Sequence, residues 1–342
     1  VSRRHDDDDR AGPGPIEAEV LAGLAREAPG ALAIDAWADP ARGATLRLLR
    51  GGEGAPGGER LVLLHGRGHA ASIWFPCWPA LAARHRLLAI DLPGFGSSVV
   101  GVGVGVDVGA DASALADAEA GLRFFVDPIE NLLAAQAAAG AGADAAAGFT
   151  LIGHSLGALV ALELALRGRL PIRRLVLIDG MGLGPVMSGP GRLFFRLHPE
   201  RLARLLGARL FGRLNPSPPT PLGRRIAALE HELLIARAPS RALAARAFDR
   251  LCPLFGPVLH RRSRLAELAV PVLLLWGEHD AALPLANATG ARAELSGATL
   301  VALPRGHSPH LEAPEEALPP LLEFLAEGPP RRSGVTGRFH AT

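Results

Sequence analysis

Phe149-Thr150-Leu151-Ile152 runs straight into Gly153-His154-Ser155-Leu156-Gly157, and residues 156–167 continue as a segment rich in Leu and Ala. Four mostly apolar residues followed by a Gly/Ser turn and a helix former read as strand, sharp turn and helix. Four further runs of the same kind lie at 61–64, 87–90, 175–178 and 272–275. Each is short, apolar on successive residues and closed by a turn or polar residue. Such runs fit strands covered on both faces, as in a parallel sheet. Helix-forming segments lie between several of them, so the expected class is α/β, a doubly wound and mostly parallel sheet.

Outward from this centre the pattern weakens. Residues 31–37 and 45–50, separated by Asp39-Pro40 and Gly43, read as a hairpin, and 16–28 as a short helix. Residues 1–30 are therefore a tail with one helix, and 329–342, rich in Arg and Pro, a disordered end. The Val/Gly alternation from Val99 to Gly109 reads as an insertion in a surface loop, because so much glycine weakens a strand. Residues 192–214 and 224–254 carry Leu, Phe and Ala at helical spacing and form a helical excursion between two strands. A further strand is expected over Thr299–Leu303 and a last amphipathic helix over 313–326.

The chain has 342 residues, 49% hydrophobic and 20% charged, enough for one large domain or two smaller ones. No apolar stretch is long enough for a spanning helix, and the start lacks the apolar segment of a secretory signal. Cys77 and Cys252 are too few for a disulfide framework or a cysteine-rich zinc site. A reducing, cytoplasmic setting is the expectation. All basic side chains are arginine, in keeping with a GC-rich coding sequence. The net charge of +2 is unevenly spread: residues 182–265 carry 15 Arg against 4 acids, a balance of +11, which leaves −9 for the remainder. That contrast marks the middle segment as a separate unit. An acidic remainder without a nucleic-acid motif argues against nucleic acid as a partner.

The Gly153–Gly157 turn has the pattern G-x-S-x-G, which in a strand–turn–helix context is a nucleophile elbow. A serine hydroxyl needs a base, and the base an orienting acid. Asp280 follows the run 272–275 and His307 follows Thr299–Leu303, so all three candidates collect at the carboxyl edge of one sheet. Asp179, at the end of run 175–178, is the competing acid. His310 is the competing base, expected to pack or hydrogen-bond near Glu312. His65, His154 and His279 read as structural neighbours. The oxyanion would be held by backbone N–H groups of Leu156 and of the loop His65-Gly66-Arg67-Gly68, with Arg67 favoured and Gly68 the alternative.

Taken together, His65-Gly66, Asp91-Leu92-Pro93-Gly94-Phe95-Gly96-Ser97-Ser98, the Ser155 elbow, Trp276-Gly277-Glu278-His279-Asp280 and Gly306-His307 resemble the α/β-hydrolase superfamily in order and spacing over about residues 31–327. The resemblance implies a Ser155–Asp280–His307 triad and a core made of 31–180 and 266–328. It also implies a helical cap over 181–265 and a structural turn at 91–98. Serine at the nucleophile position argues against dehalogenase and epoxide-hydrolase chemistry. Ester cleavage is the least demanding reaction left and needs no metal or organic cofactor. Carbon–carbon hydrolysis, acyl transfer and ligand binding without turnover are the alternatives. The expected partner is a small hydrophobic ester. Leu193, Phe194, Phe195, Leu197, Leu205, Leu206 and Phe211 either line its pocket or bury a helix face, and the arginines either steer anions or form a solvated surface.

Overall fold

The computed structural model describes residues 15–27, 32–53, 57–100, 115–139, 148–214, 221–235 and 239–327. Among the described residues nine strands form one sheet: β1 (Ala33–Asp39), β2 (Ala44–Gly51), β3 (Arg60–Leu64), β4 (Arg86–Ile90), β5 (Val99–Val100), β6 (Phe149–His154), β7 (Ile172–Ile178), β8 (Val272–Gly277) and β9 (Thr299–Leu303). Their order is β1-β2-β4-β3-β6-β7-β8-β9, with β5 beside β2. From β4 across to β9 every pairing is parallel. The hairpin β1–β2 adds antiparallel strands at one edge, in the register Ala33↔Arg50 to Asp39↔Ala44. The chain is thus α/β with a mostly parallel sheet.

The apolar runs are continuous because each central strand is buried on both sides. Val62, Leu64, Leu151, Leu175, Leu177, Leu274 and Trp276 face one cluster. The alternating Leu61, Leu63, Ile152, Val176, Ile178, Leu273 and Leu275 face the other. The first cluster is closed by α3 (Ala118–Ala139), α4 (Leu156–Arg167) and α9 (Ala286–Arg292). The second is closed by α1 (Pro15–Glu27), α2 (Trp78–Ala82), and α10 (Pro309–Glu312) with α11 (Pro314–Ala326). The short helix near the start is therefore part of the core: Val20 and Leu24 are buried, and Glu17 pairs with Arg47 at 2.5 Å.

Between β7 and β8 the described residues form α5 (Gly189–Arg196), α6 (Pro199–Leu214), which is broken in two at Gly207 (φ +70°, ψ +168°), α7 (Pro221–Ile235) and α8 (Pro239–Leu251). The sequence suggests two longer ones. His198, with φ +56°, ends the first turn of chain, and a proline opens α6, α7 and α8, where its missing N–H costs nothing. These helices are docked on both faces of the sheet. Ala244, Ala247 and Phe248 of α8 join the first cluster, and Ile226 and Leu229 of α7 the second. Charge follows the same seam. Arg261 pairs with Glu119 and Glu163, Arg262 with Glu294, and Arg225 with Glu19, so the basic segment meets acids of the rest of the chain.

Val99–Val100 pair with Ala44–Thr45 as a short antiparallel strand. The rest of the Val/Gly stretch, the tail before Pro15 and the Arg-rich end lie outside the described residues.

Helix α3 approaches α8 so closely that a Cβ on Gly121 would stand 2.6 Å from the carbonyl oxygen of Ala247. Gly121→Ala should therefore destabilise the protein by about 1–3 kcal/mol in urea unfolding. Gly189→Ala, with nothing within 4 Å of its added carbon, should stay within about 0.5 kcal/mol of the parent. Equal effects at the two positions would contradict this packing.

Candidate active site

The turn after β6 is built by contact, not only by glycine's freedom. A Cβ on Gly153 would meet the carbonyl oxygen of Gly157 at 2.4 Å, and one on Gly157 would meet that of Leu64 at 2.2 Å. Between them Ser155 has φ +51° and ψ −113°, a conformation that non-glycine residues adopt only when their surroundings enforce it. Its N–H donates to the carbonyl of Ile178 at 3.0 Å, and its own carbonyl accepts from Met181 N at 3.0 Å. The serine is thereby held at the end of β6, at the head of α4.

His307 and Asp280 arrive from the ends of the neighbouring strands. His307 Nε2 lies 3.0 Å from Ser155 Oγ, and His307 Nδ1 lies 2.7 Å from Asp280 Oδ2. The other oxygen of Asp280 accepts the backbone N–H groups of Ala282 (2.7 Å) and Leu283 (2.9 Å). The Asp280 side chain is fully buried, whereas that of His307 is 24% exposed. A hydroxyl, an imidazole and a carboxylate in this series can pass a proton from oxygen to ring while the acid fixes the tautomer.

Among the described residues no hydrogen bond joins the Asp179 carboxylate to the serine. It is buried beside Asp280, with one oxygen accepting from Gly277 N at 2.8 Å and the other without a partner among the described residues. Burial, then the neighbouring Asp280, raises its pKa well above the ordinary carboxylate range. Ligand-type atoms of Asp179, Asp280 and His307 fall within 4.8 Å of one another. His310 is likewise away from the hydroxyl. Its ring centre lies 4.6 Å from that of Trp74 and 4.8 Å from that of His154, tilted against both. It makes no bond to Glu312, and burial, then His69 and His307, push its pKa down to about 3. His279 is exposed.

The loop expected to supply an oxyanion donor lies against the serine: a Cβ on Gly66 would stand 3.1 Å from Ser155 Cβ. Leu156 opens α4, so its N–H has no intrahelical acceptor. Among the described residues nothing accepts the N–H of Arg67 or of Leu156. His65 is structural. Its Nδ1 meets the carbonyl of Gly66 at 2.7 Å and its Nε2 accepts from Leu92 N at 2.8 Å, while burial lowers its pKa. Asp91 staples the turn that follows, accepting from Ala71 N at 2.7 Å and Ser97 N at 2.9 Å. One cavity of about 290 Å³ lies among Arg60, Arg86, Gln136 and Phe149, at the opposite, amino end of the sheet.

Three residues support the series: His154, read from the sequence as a structural neighbour, and Glu312 and Glu230, whose roles escape sequence reasoning. His154 Nε2 donates to the carbonyl of His307 at 2.8 Å, and burial keeps this ring neutral by lowering its pKa well below 6.5. Glu312 accepts from Gly306 N (2.8 Å) and Ser308 N (3.0 Å), clamping the loop on both sides of His307. Glu230 of α7 accepts from Ala70 N at 3.2 Å and binds His69 Nδ1 at 3.0 Å and the Ser72 hydroxyl, tying an inserted helix to the loop beside the serine. Separation in sequence hides the bonds of His154 and Glu230, whereas Glu312 lies only four to six residues from its partners.

The raised pKa of Asp179 has a consequence for stability. The folded protein keeps a proton there that the unfolded chain releases above about pH 3.9. Its contribution is therefore present at low pH and lost as pH rises through the folded value. Asp179→Asn should flatten the decline of unfolding free energy toward alkaline pH, by up to about 1.4 kcal/mol per pH unit within that window. Parallel slopes for parent and variant in urea melts across pH 4–9 would contradict a protonated Asp179.

Comparison with known proteins agrees with this architecture. A sequence model described as the alpha/beta hydrolase family matches residues 61–318. The chain is 29% identical over 287 residues to the dihydrolipoyllysine-residue acetyltransferase component of the acetoin cleaving system of Pseudomonas putida, covering 82% of this chain and 67% of that one. It is 24% identical over 280 residues to the pimeloyl-[acyl-carrier protein] methyl ester esterase of Aeromonas hydrophila, covering 78% and 96%. Among solved structures it resembles carboxylesterase CesB of Bacillus subtilis, with TM-score 0.64, 19% identity and coverage of 91% and 97%. The fold is that of a hydrolase sheet with a helical insertion, and the chain belongs to the alpha/beta hydrolase family.

Proposed function

We propose that the protein is a serine hydrolase that cleaves a small or medium hydrophobic carboxylic ester through an acyl-enzyme. The observation that carries this reading is the continuous series Ser155 Oγ–His307 Nε2 and His307 Nδ1–Asp280 Oδ2, at 3.0 and 2.7 Å. Ser155 attacks the ester carbonyl while His307 takes its proton. The carbonyl oxygen, now negative, is held by the N–H groups of Arg67 and Leu156, with Gly68 as the alternative to Arg67. His307 then hands the proton to the departing alcohol, and the acyl group stays on Ser155. Water enters, gives a proton to His307 and attacks the acyl carbon. Collapse releases the acid and restores the serine. Asp280 stabilises the charged ring throughout and is not itself protonated. The steps use the chain's own groups and water.

Residues 181–265 act in this reading as a cap, whose helices α5 to α8 close over the serine and set the accepted acyl group. The esterase names among the relatives support ester chemistry over the other reactions open to the same three residues. The Phe211 side chain lies outside the described ones, whereas Leu193, Leu197 and Leu205 are exposed and Phe195 packs against the core.

Hydrolysis of p-nitrophenyl acetate, butyrate and octanoate tests the proposal. Ser155→Ala and His307→Ala should each lower kcat/KM by roughly 10⁴-fold or more, with folding checked by circular dichroism. Asp280→Asn should cost roughly 10²–10⁴-fold and Asp179→Asn much less. The reverse ranking of the two aspartates would make Asp179 the orienting acid. Undiminished turnover in Ser155→Ala would overturn the proposal.

A further inference from the structure

Arg67 has so far served only through its backbone. Its side chain is 1% exposed and runs under the inserted helices, where its guanidinium carbon lies 5.3 Å from the centre of the Phe195 ring and 5.0 Å from that of Phe248. The nearest carboxylate, Glu200, stands 3.6 Å from Nη2, beyond hydrogen-bond length. Nε and Nη1 have no partner among the described residues. This is unusual within the same molecule. Arg174, equally buried, bonds Glu59 through Nε, Phe324 through Nη1 and Glu327 through Nη2. Arg241, also buried, spends Nη1 on the carbonyls of Leu233 and Leu234 and Nη2 on that of Gly96, and leaves Nε alone without a partner among the described residues.

A buried guanidinium costs several kcal/mol unless charge and hydrogen bonds compensate it. Aromatic faces return part of that cost but accept no N–H bond in its plane. Glu200 supplies one ion pair at 3.6 Å, and burial lowers the pKa of Arg67 despite Glu200 and Asp249. The two idle donors need an acceptor that the described chain does not offer. The position says what could bring one. Gly66 touches Ser155, so the neighbouring Arg67 holds its N–H at the reacting carbonyl and its guanidinium about 6 Å further along, by the length of its own side chain. Rigid donors there match a carboxylate in shape and charge.

We propose that the Arg67 side chain binds a carboxylate carried by the substrate, so that the preferred esters are anionic, with the charge roughly three to five carbon–carbon bonds from the scissile carbonyl. The aliphatic stretch between the two ends lies along Phe195 and Phe248, and Glu200 is the internal competitor for the cation. This assignment deepens the esterase reading and rests on it for the orientation of the substrate. A surface field of the cap arginines would be screened by salt, whereas a carboxylate buried on Arg67 is screened much less.

Binding to the full chain tests the proposal apart from turnover. In Ser155→Ala, adipate should bind at least tenfold more tightly than hexanoate by isothermal titration calorimetry, because its second carboxylate reaches Arg67. Arg67→Met should abolish that preference and Arg67→Lys retain part of it. Glu200→Gln, which keeps the cation and removes its competitor, should raise the preference at least twofold. In the parent, mono-p-nitrophenyl adipate should be favoured over its neutral amide in kcat/KM, with the ratio holding between low and high salt. Equal binding of adipate and hexanoate, or a preference that survives Arg67→Met or falls in Glu200→Gln, would overturn the assignment. Loss of neutral-ester hydrolysis in the parent would instead count against the esterase reading.

Discussion

The conformation of Ser155 is the constraint on which the site depends. A residue with φ +51° and ψ −113° stores strain that only its neighbours can hold in place. Here the hold is steric and hydrogen-bonded together. Gly153 and Gly157 leave no room for a side chain, and Ile178 and Met181 bind the serine's backbone on either side. The same stitching continues across the sheet. A Cβ on Gly277 would fall 1.8 Å from the carbonyl oxygen of Gly306, so the end of β8 is pressed against the loop that carries His307. Asp179 in turn accepts the N–H of Gly277. Four strand ends are thus locked to one another before any catalytic group is considered, and the hydroxyl, ring and carboxylate meet because the backbones do.

The uneven charge of the chain becomes intelligible at the seam between the sheet and its inserted helices. Arg261, Arg262 and Arg225 leave the basic segment for acids of the remainder, while Glu200 and Glu230 of the insertion turn back to Arg67 and His69. Exposed pairs of this kind contribute little each. Arg261 and Glu163 are nearly buried, and there the geometry fixes how the insertion sits. Hydrophobic contacts carry the larger share of the docking: Phe248 and Ala247 on one face, Ile226 and Leu229 on the other.

What the sequence made legible follows from local physics. Strands buried on both sides have no polar face, so β3, β4, β6, β7 and β8 stood out as apolar runs. The hairpin announced itself through Asp39-Pro40 and Gly43, and Ser155, His307 and Asp280 through the turns in which they lie. Long-range contacts left no such trace. His154, legible only as a structural neighbour, reaches the loop of His307 across 153 positions, and Glu230 reaches Ser72 across 158; Glu312 holds the same loop from only four to six residues away, without marking itself in the sequence. The break at His198 escaped because the apolar spacing continues through it. A bond from His310 to Glu312 does not form: Glu312 spends its carboxylate on backbone N–H groups, and the His310 ring packs tilted against Trp74.

The most direct measurement is reaction of the folded protein with a fluorophosphonate, followed by mass spectrometry of the peptides. A serine made nucleophilic by its neighbours should give one adduct, on Ser155. The adduct should be absent from Ser155→Ala and slow to form in His307→Ala. No adduct on the folded chain, or one on another residue that persists in Ser155→Ala, would contradict the account.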